Sequence, residues 1–225
     1  MLQGVNVGPH DRPRISHFAK DNGWTMHWGT YPGDLKVQFK NNQTTIVIGS
    51  SWPKDENLLV NYINNAAENI KFIIAPHNIK SEQISNLKSQ ITKSTILFSE
   101  KNKIDLSNFN VFIIDTIGIL TKIYSYANIA YVGGGFGNPG VHNILEPATF
   151  GVPIVIGPYY SLFAEATALV NMEGCISISN QNELTDAFNL LINNEDECLE
   201  KGHICSTFVQ MNKGATDIIL RYISK

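Results

Sequence analysis

The sequence has little charge of either sign and no long apolar run. Only 16% of its 225 residues are charged and the formal net charge is −3, so it lacks the basic surface that predicts nucleic-acid binding. No apolar run reaches the roughly 20 residues that a membrane-spanning helix requires, and the first residues lack the apolar core of a signal peptide. These absences argue against a nucleic-acid-binding protein and against a membrane-spanning one.

Cysteine is also scarce. The three cysteines, Cys175, Cys198 and Cys205, are odd in number and lack the spacing of metal ligands. They predict free thiols in a reducing compartment, with no disulfide framework and no metal site. The hydrophobic fraction of 43% is typical of a soluble globular chain.

From residue 44 onward, short β-rich runs alternate with helix-like segments. The predicted strands are Thr45–Ile48, Lys71–Ala75, Thr95–Ser99, Val111–Asp115, Ile129–Val132, Pro153–Ile156 and Cys175–Ile178. The predicted helices are Asp55–Asn69, Ser81–Gln90, Gly118–Ala127, Asn143–Phe150, Ser161–Met172, Glu183–Asn193 and Cys198–Ile223, the last broken or kinked near Gly214. Most strands are continuously apolar, as strands covered by helices on both sheet faces are. The order predicts an α/β fold with a doubly wound, mostly parallel, Rossmann-like sheet.

Residues 1–43 differ from the rest and are predicted to be a lead-in segment before a domain at 44–225. Trp24, Trp28 and Tyr31 make its first 40 residues aromatic, but they show no periodicity. Its histidines, His10, His17 and His27, could suggest a metal or ligand site, yet their spacing fits no metal motif. We expect a packed or partly ordered segment.

The stretch Tyr131–Pro158, YVGGGFGNPGVHNILEPATFGVPIVIGP, is the most informative part of the chain. A glycine-rich loop that includes Gly134 and Gly135 follows a buried strand, and glycines let backbone approach a ligand closely. The helix start after it offers N–H groups that suit a phosphate. The glycines alone could form only a tight turn, but with the fixed spacing of the polar residues His142, Asn143 and Glu146 they favour nucleotide binding.

Two further loops follow strands and end at the same predicted sheet edge. In the loop after the first strand, Ser50 and Ser51 can bind an anion or cap the next helix. After the second strand, Pro76 ends the strand pairing and presents His77. His77 could contact a base, a phosphate or a substrate carboxylate, or it could be polar filling.

A third loop, Asp115-Thr116-Ile117-Gly118, follows the strand VFIID. Asp115 or Thr116 can cap the following helix, and capping is the expected role of Asp115. Gly118 lets backbone approach a flat ligand. Ligands of doubly wound sheets bind beyond the carboxyl ends of the strands, so the loops predict one shared site.

These motifs, in this order, resemble the Kdo (3-deoxy-D-manno-octulosonic acid) transferases of lipopolysaccharide synthesis. GSSWPKDE, APH, DTIGIL and the HNILEPATFGVP run carry the resemblance, which covers roughly residues 44–223. It implies a GT-B glycosyltransferase, CMP-Kdo as donor substrate, no cofactor and no metal, and a lipid A precursor as acceptor. The chain would be the C-terminal, donor-binding half.

The resemblance also implies roles for single residues. Glu146 would bind the ribose, and Asn143 and nearby backbone N–H groups would lie beside the phosphate. The full set of expected donor-nucleotide-binding residues is Ser50, Ser51, Pro76, His77, Gly118, Ile119, Gly134, Gly135, His142, Asn143 and Glu146.

Three positions depart from the family pattern. Val141 replaces the second glycine of the family's GGHN, which could restrict the loop or crowd the ligand. Ile119 stands where the family has a glutamate, and His77 stands where members often have an arginine. The weaker positive charge puts tight phosphate binding by that side chain in question.

The catalytic and acceptor-binding half of such an enzyme is expected to be missing, so we predict no catalytic residue in this chain. The full-length enzyme would contact the cytoplasmic side of the inner membrane of a Gram-negative bacterium, while this chain would be soluble. A free-standing nucleotide or nucleotide-sugar binding module without transferase activity is the alternative. A nucleotide-sugar epimerase would need acid and base residues that the sequence does not offer.

Overall fold

The structure is a computed structural model, and it describes residues 39–101, 104–138, 140–214 and 223. Within these residues seven strands alternate with α-helices along the chain. The strands are β1 (Thr44–Ser51), β2 (Ile70–Pro76), β3 (Thr95–Leu97), β4 (Val111–Ile113), β5 (Ile129–Val132), β6 (Ile154–Ile156) and β7 (Cys175–Ser177). The α-helices are α1 (Pro53–Asn65), α2 (Ser81–Gln90), α3 (Leu120–Ile123), α4 (Leu145–Thr149), α5 (Ala164–Asn171), α6 (Gln181–Asn193) and α7 (Glu195–Met211).

All seven strands lie in one parallel sheet with the order β3-β4-β2-β1-β5-β6-β7. The chain builds one side of the sheet from β1 to β4, then crosses β1 and builds the other side from β5 to β7. The switch point therefore lies between β1 and β5, where doubly wound folds open a crevice at the carboxyl ends of the strands. The predicted doubly wound sheet is confirmed.

Successive side chains along each strand point to opposite faces of the sheet, so a hydrophobic core lies on each face. Val47 and Ile73 point to the core that α4, α5 and α7 cover. Their sequence neighbours Ile46 and Phe72 point to the opposite core, which α1, α2 and α6 cover. Because helices bury both faces, the strands need no polar face, and this explains their continuous apolar runs.

Each predicted strand is present, and Ile129–Val132 has the predicted bounds. The predicted helix Gly118–Ala127 is shorter, since α3 gives way to a 3₁₀ turn at Tyr124–Tyr126. The last predicted helix, Cys198–Ile223 with a break near Gly214, has the predicted break, because α7 stops at Met211 and Gly214 has φ +103°. That backbone conformation favours glycine and ends a right-handed helix.

The core includes a residue before the predicted boundary at residue 44. Phe39 is fully buried and its ring centroid lies 5.5 Å from that of Phe112 on β4. The aromatic and histidine residues of the predicted lead-in lie outside the described residues.

Cys175, Cys198 and Cys205 are all buried, and none of the three is in a disulfide bond. In the part of the chain described, no helix is long and apolar enough to cross a membrane. No three potential metal ligands converge among those same residues.

Candidate functional site

Four loops converge at the carboxyl edge of the sheet. They follow β4, β2, β1 and β5, which are neighbours in that order. Backbone hydrogen bonds join three of them: the His77 N–H donates to the Ser51 carbonyl (2.9 Å), and the Gly133 N–H donates to the Gly49 carbonyl (2.9 Å). The sequence motifs therefore meet at one edge, as predicted.

A bulge at the end of β1 shapes the first loop. The pairing of β1 with β2 shifts between Gly49 and Ser51, and Ser50 has φ +54°. A non-glycine residue in this left-handed region is uncommon and often marks a functional turn. The bulge turns the chain so that Trp52 and the start of α1 lie over the switch point.

Asp55 connects the loop after β1 with the loop after β5. Its carboxylate is fully buried and accepts hydrogen bonds from the Tyr131 hydroxyl (2.8 Å), the Gly134 N–H (2.9 Å) and the Trp52 N–H (2.9 Å). Burial, followed by the charge of Asp55, raises the pKa of Tyr131. A buried carboxylate with three donors is well satisfied, so Asp55 holds the two loops in a fixed relation.

Neighbouring polar groups on α1 are also paired within the protein. The Ser51 hydroxyl donates to Glu56 Oε1 (3.0 Å), and burial raises the pKa of Glu56. The residue before α1 is Trp52, whose side chain makes no cap hydrogen bond. The serines therefore do not cap this helix, which starts with Pro53 at its first position and acidic residues in its first turn.

Three aromatic rings form a cluster above the switch point, here called the ring cluster: Trp52, His77 and His142. Trp52 Nε1–H donates to His142 Nε2 (2.8 Å), and the two rings are nearly parallel, with an interplanar angle of 8°. His77 stacks on both, with centroid distances of 4.4 Å to Trp52 and 4.6 Å to His142. An indole N–H can only donate, so His142 Nε2 must be unprotonated and the neutral ring carries its proton on Nδ1.

Glu146 follows His142 closely along the chain. It belongs to a second group of hydrogen-bonded polar side chains. Its carboxylate accepts from the Thr121 hydroxyl (3.0 Å) and from Asn143 Nδ2 (3.3 Å). Asn143 Oδ1 in turn accepts the Leu145 N–H (3.0 Å) at the start of α4. The side chains of Asn143 and Glu146 are therefore neighbours, as their spacing predicts. One N–H at that helix start is already bonded within the loop.

The glycine loop between β5 and α4 is tightly folded. Gly134 has φ +95°, and a Cβ there would overlap the carbonyl of Gly140. Gly135 packs against the backbone of Gly157, so a side chain would not fit there either. Both residues are buried, and we expect them to shape the loop rather than to cover a ligand.

The remaining predicted positions lie at the rim of this edge. Gly118 is exposed with φ +85°, and a Cβ there would meet open space. Ile119 is half-buried just before α3, Pro76 is half-buried at the end of β2, and His77 is exposed. The positive φ at position 118 therefore favours glycine. The exposed backbone of Gly118 leaves room for a flat ligand.

Two expectations from the sequence are wrong. Asp115 does not cap the helix that follows it: its carboxylate accepts hydrogen bonds from the Ser99 N–H (2.9 Å) and the Ser99 hydroxyl, across the gap between β4 and β3. Val141 does not restrict the loop, because its side chain is buried in the core and its N–H donates to the Tyr159 carbonyl. It needs no positive φ.

Trp52, Asp55 and Thr121 were not predicted as site residues. For Asp55 a signal existed, since an acidic residue at the third helical position often bonds the N–H before the helix. No sequence signal pairs Trp52 with His142, or Thr121 with Glu146, because each pair lies far apart along the chain.

The bond between Trp52 and His142 predicts a pH effect on stability. Burial and the nearby His77 lower the pKa of His142, and Asp55 acts in the opposite direction. The unfolded chain takes up this proton near the ordinary histidine value of about 6.5 while the folded chain resists it. The free energy of unfolding should therefore fall as the pH falls below about 6.5.

Urea unfolding of wild type and His142→Phe at several pH values measures this effect. The phenylalanine ring cannot titrate or accept from Trp52, so the variant should be less stable at pH 7.5. The difference in free energy of unfolding between the two proteins should become smaller as the pH falls. A difference that stays constant between pH 7.5 and 5.5 would contradict the neutral state of His142.

Comparison with curated proteins finds relatives that share one description. The chain is 33% identical over 175 residues to the 3-deoxy-D-manno-octulosonic acid transferase of Chlamydia trachomatis serovar D, covering 74% of this chain and 40% of that protein. It is 30% identical over 194 residues to the transferase of the same name from Rickettsia felis, covering 82% of this chain and 41% of that protein. The chain spans about two fifths of the length of these relatives. No family model matches it.

Solved structures show the same fold. The C-terminal CMP-Kdo binding domain of WaaA from Acinetobacter baumannii superposes with a TM-score of 0.69 at 19% identity, covering 88% of this chain and 98% of that domain. The C-terminal domain of the glycosyltransferase LpcC from Francisella tularensis superposes with a TM-score of 0.54 at 12% identity, covering 82% and 95%. These likenesses confirm the fold predicted from the sequence, and the curated relatives confirm the resemblance to Kdo transferases.

Proposed function

We propose that this chain, a relative of the Kdo transferases with the fold of a GT-B C-terminal domain, is the donor-binding domain of such an enzyme. It would bind CMP-Kdo at the carboxyl edge of its sheet. The observation that carries the proposal is the convergence of Glu146, Asn143 and the ring cluster at the β1/β5 switch point. The names of the sequence relatives suggest Kdo as the transferred sugar, and the CMP-Kdo binding domain of WaaA suggests CMP as its carrier.

The nucleoside would lie between the loops after β4 and β5. There Glu146 has one carboxylate oxygen facing Thr121 and the other facing Asn143, and its charge can accept from paired ribose hydroxyls once these contacts loosen. The exposed backbone at Gly118 would lie against the base. The phosphate and the sugar would then extend toward His77 and His142, above the switch point.

The acceptor, a lipid A precursor, would come from a facing domain, as in a two-domain GT-B enzyme. The 225 residues correspond to about two fifths of the curated transferases. Contact with the inner membrane would likewise belong to the full-length enzyme. A free-standing nucleotide-binding module without transferase activity is the alternative, and the two proposals share the binding site but differ in turnover.

The first experiment measures nucleotide binding. Because one domain supplies only half the walls of an interdomain cleft, CMP should bind weakly, with a dissociation constant of roughly 100 μM or above. Titration calorimetry with CMP, UMP and AMP should rank CMP first. Equal affinity for all three, or no binding of any, would overturn a cytidine site.

The second measurement is a transfer assay with radiolabelled donor and a lipid A precursor. The charges that develop at the anomeric carbon and at the acceptor hydroxyl need groups placed by both domains. We therefore expect no turnover by the 225-residue chain. Turnover at an ordinary enzyme rate would contradict the half-enzyme proposal, and supplying the facing half of a related transferase should restore activity.

A further inference from the structure

The two histidines of the ring cluster, His77 and His142, have different surroundings. Trp52 and His142 have nearly parallel rings, joined by the Nε1–Nε2 hydrogen bond of 2.8 Å. His77 lies over the faces of both rings, with interplanar angles of 18° and 23°. His142 is thereby held as a neutral ring, while His77 is exposed to solvent.

The loops around this cluster are poor in fixed positive charge. In segments 49–56, 75–80, 115–122 and 133–146 the lysines are Lys54, Lys80 and Lys122, all exposed, and there is no arginine. The same segments carry four carboxylates, those of Asp55, Glu56, Asp115 and Glu146. A ligand that brings a phosphate and a sugar carboxylate to this edge therefore meets more negative than positive charge.

We propose that His77 is the cation of this site, and that it takes up a proton from solvent when an oxyanion of the donor binds beside it. The inference rests on the proposed function and deepens it. The proton adds to the free ring nitrogen of the neutral imidazole, and the resulting imidazolium donates a charged hydrogen bond to the phosphate or carboxylate oxygen. No other bond forms or breaks.

Trp52 supports this role in two ways. Its indole face lies 4.4 Å from the His77 centroid, within the distance at which an aromatic face stabilises a cation. Its indole N–H occupies His142 Nε2, so the second histidine does not compete for the proton. Two stacked imidazoliums would repel each other, and the lowered pKa of His142, caused by burial and by His77, agrees with a single charge.

The carboxylates near His77 and His142 are already hydrogen-bonded within the protein. Asp55 on α1 favours a charge on His142, but its oxygens are occupied by Tyr131, Gly134 and Trp52. Glu56 on α1 is paired with Ser51, and Glu146 on α4 is paired with Thr121 and Asn143. His77 is thus the histidine of the cluster that is exposed to solvent and to an arriving ligand.

The test is titration calorimetry at pH 7.5 in three phosphate-free buffers of different ionisation enthalpy. The ligands are cytidine, the methyl ester of CMP and free Kdo. The methyl ester carries one permanent phosphodiester charge, so its own phosphate does not titrate as that of CMP does near pH 6. The dependence of the observed enthalpy on buffer enthalpy gives the protons taken up per ligand.

We expect cytidine to bind without proton uptake and the methyl ester to bind with uptake of a fraction of one proton. Uptake with free Kdo as well, or with Kdo alone, would assign the sugar carboxylate as a partner of His77. His77→Asn should abolish the uptake and weaken methyl ester binding roughly tenfold. His77→Arg, a cation that does not titrate, should restore affinity without uptake.

His203→Asn is the matched control, because His203 is exposed on α7 and lies in none of the loops that surround the cluster; its uptake should equal that of wild type. Absence of proton uptake with every oxyanion ligand that binds, or uptake that persists in His77→Asn, would overturn the inference and leave the nucleotide site intact. Failure of all three ligands to bind would instead overturn the proposed function, and this inference with it.

Discussion

Replacing Asp55 by asparagine is expected to lower the free energy of unfolding by about 3 kcal/mol, the largest stability effect of any site substitution we predict. The carboxylate is fully buried and accepts from Tyr131, Gly134 and Trp52. An asparagine offers one acceptor oxygen and places an NH₂ donor where a second oxygen stood. If the amide oxygen takes the two backbone N–H groups, the NH₂ can donate to the Tyr131 hydroxyl oxygen, but the proton of that hydroxyl then loses its buried acceptor.

Thermal unfolding measures the change. For a domain of this size, about 3 kcal/mol corresponds to a fall in Tm of roughly 6–12 °C. Asp186→Asn, an exposed position on α6, removes the same charge and should change the free energy of unfolding by less than about 0.5 kcal/mol. Equal effects of the two substitutions would show that net charge matters and that the buried hydrogen bonds do not.

The Asp55 variant should also weaken nucleotide binding, but indirectly. Asp55 fixes the Gly134 N–H and the Trp52 N–H, so its loss loosens the loops after β1 and β5 together. Lowering the temperature or adding glycerol should recover part of the affinity if the loss comes from loop order. This behaviour separates Asp55 from a residue that contacts the ligand directly.

Glu146→Gln is expected to weaken CMP binding roughly ten- to a hundredfold while the melting temperature stays near that of wild type. A carboxylate accepts from both ribose hydroxyls, whereas a carboxamide offers one acceptor oxygen. Loss of a charged hydrogen bond of this kind costs about 1.5–3 kcal/mol. Because the glutamine side chain of this variant would retain one oxygen toward Thr121 or Asn143, the fold should tolerate the change.

A comparison of CMP with 2′-deoxy-CMP on both proteins tests the assigned contact. Wild type should prefer CMP, and the preference should largely disappear in Glu146→Gln. Glu200→Gln, exposed on α7, is the control and should keep the preference. If wild type binds both nucleotides equally, the ribose role of Glu146 is wrong. If Tm falls and the preference remains, Glu146 braces the loop through Thr121 instead.

The sequence predicts the sheet well because local patterns determine it. The run at Ile129–Val132 is apolar on both strand faces and bounded by polar residues and glycines, so its limits are visible without any partner. The glycine loop after it is equally local, since Gly134 and Gly135 lack space for a side chain. The placement of all four loops at one edge then follows from the parallel order of the strands.

What the sequence could not predict depends on contacts between distant segments. Asp55 meets Tyr131 across 76 positions, and Trp52 meets His142 across 90. Asp115 is a plausible cap by position, yet the neighbouring strand β3 brings Ser99 closer than the helix that follows. These contacts depend on the order of the strands in the sheet, which the periodicity of a single segment does not reveal.

The three buried cysteines make the protein convenient for site-specific labelling. Burial raises the pKa of Cys175 and raises that of Cys205 to about 12, and Cys198 is buried as well. Because the thiolate is the reactive form, a maleimide at neutral pH should leave all three unmodified in the folded chain. Ile117, which is 80% exposed and next to Gly118, could then become the single reactive thiol in Ile117→Cys. A fluorophore attached there would report nucleotide arrival optically, without removal of any native cysteine.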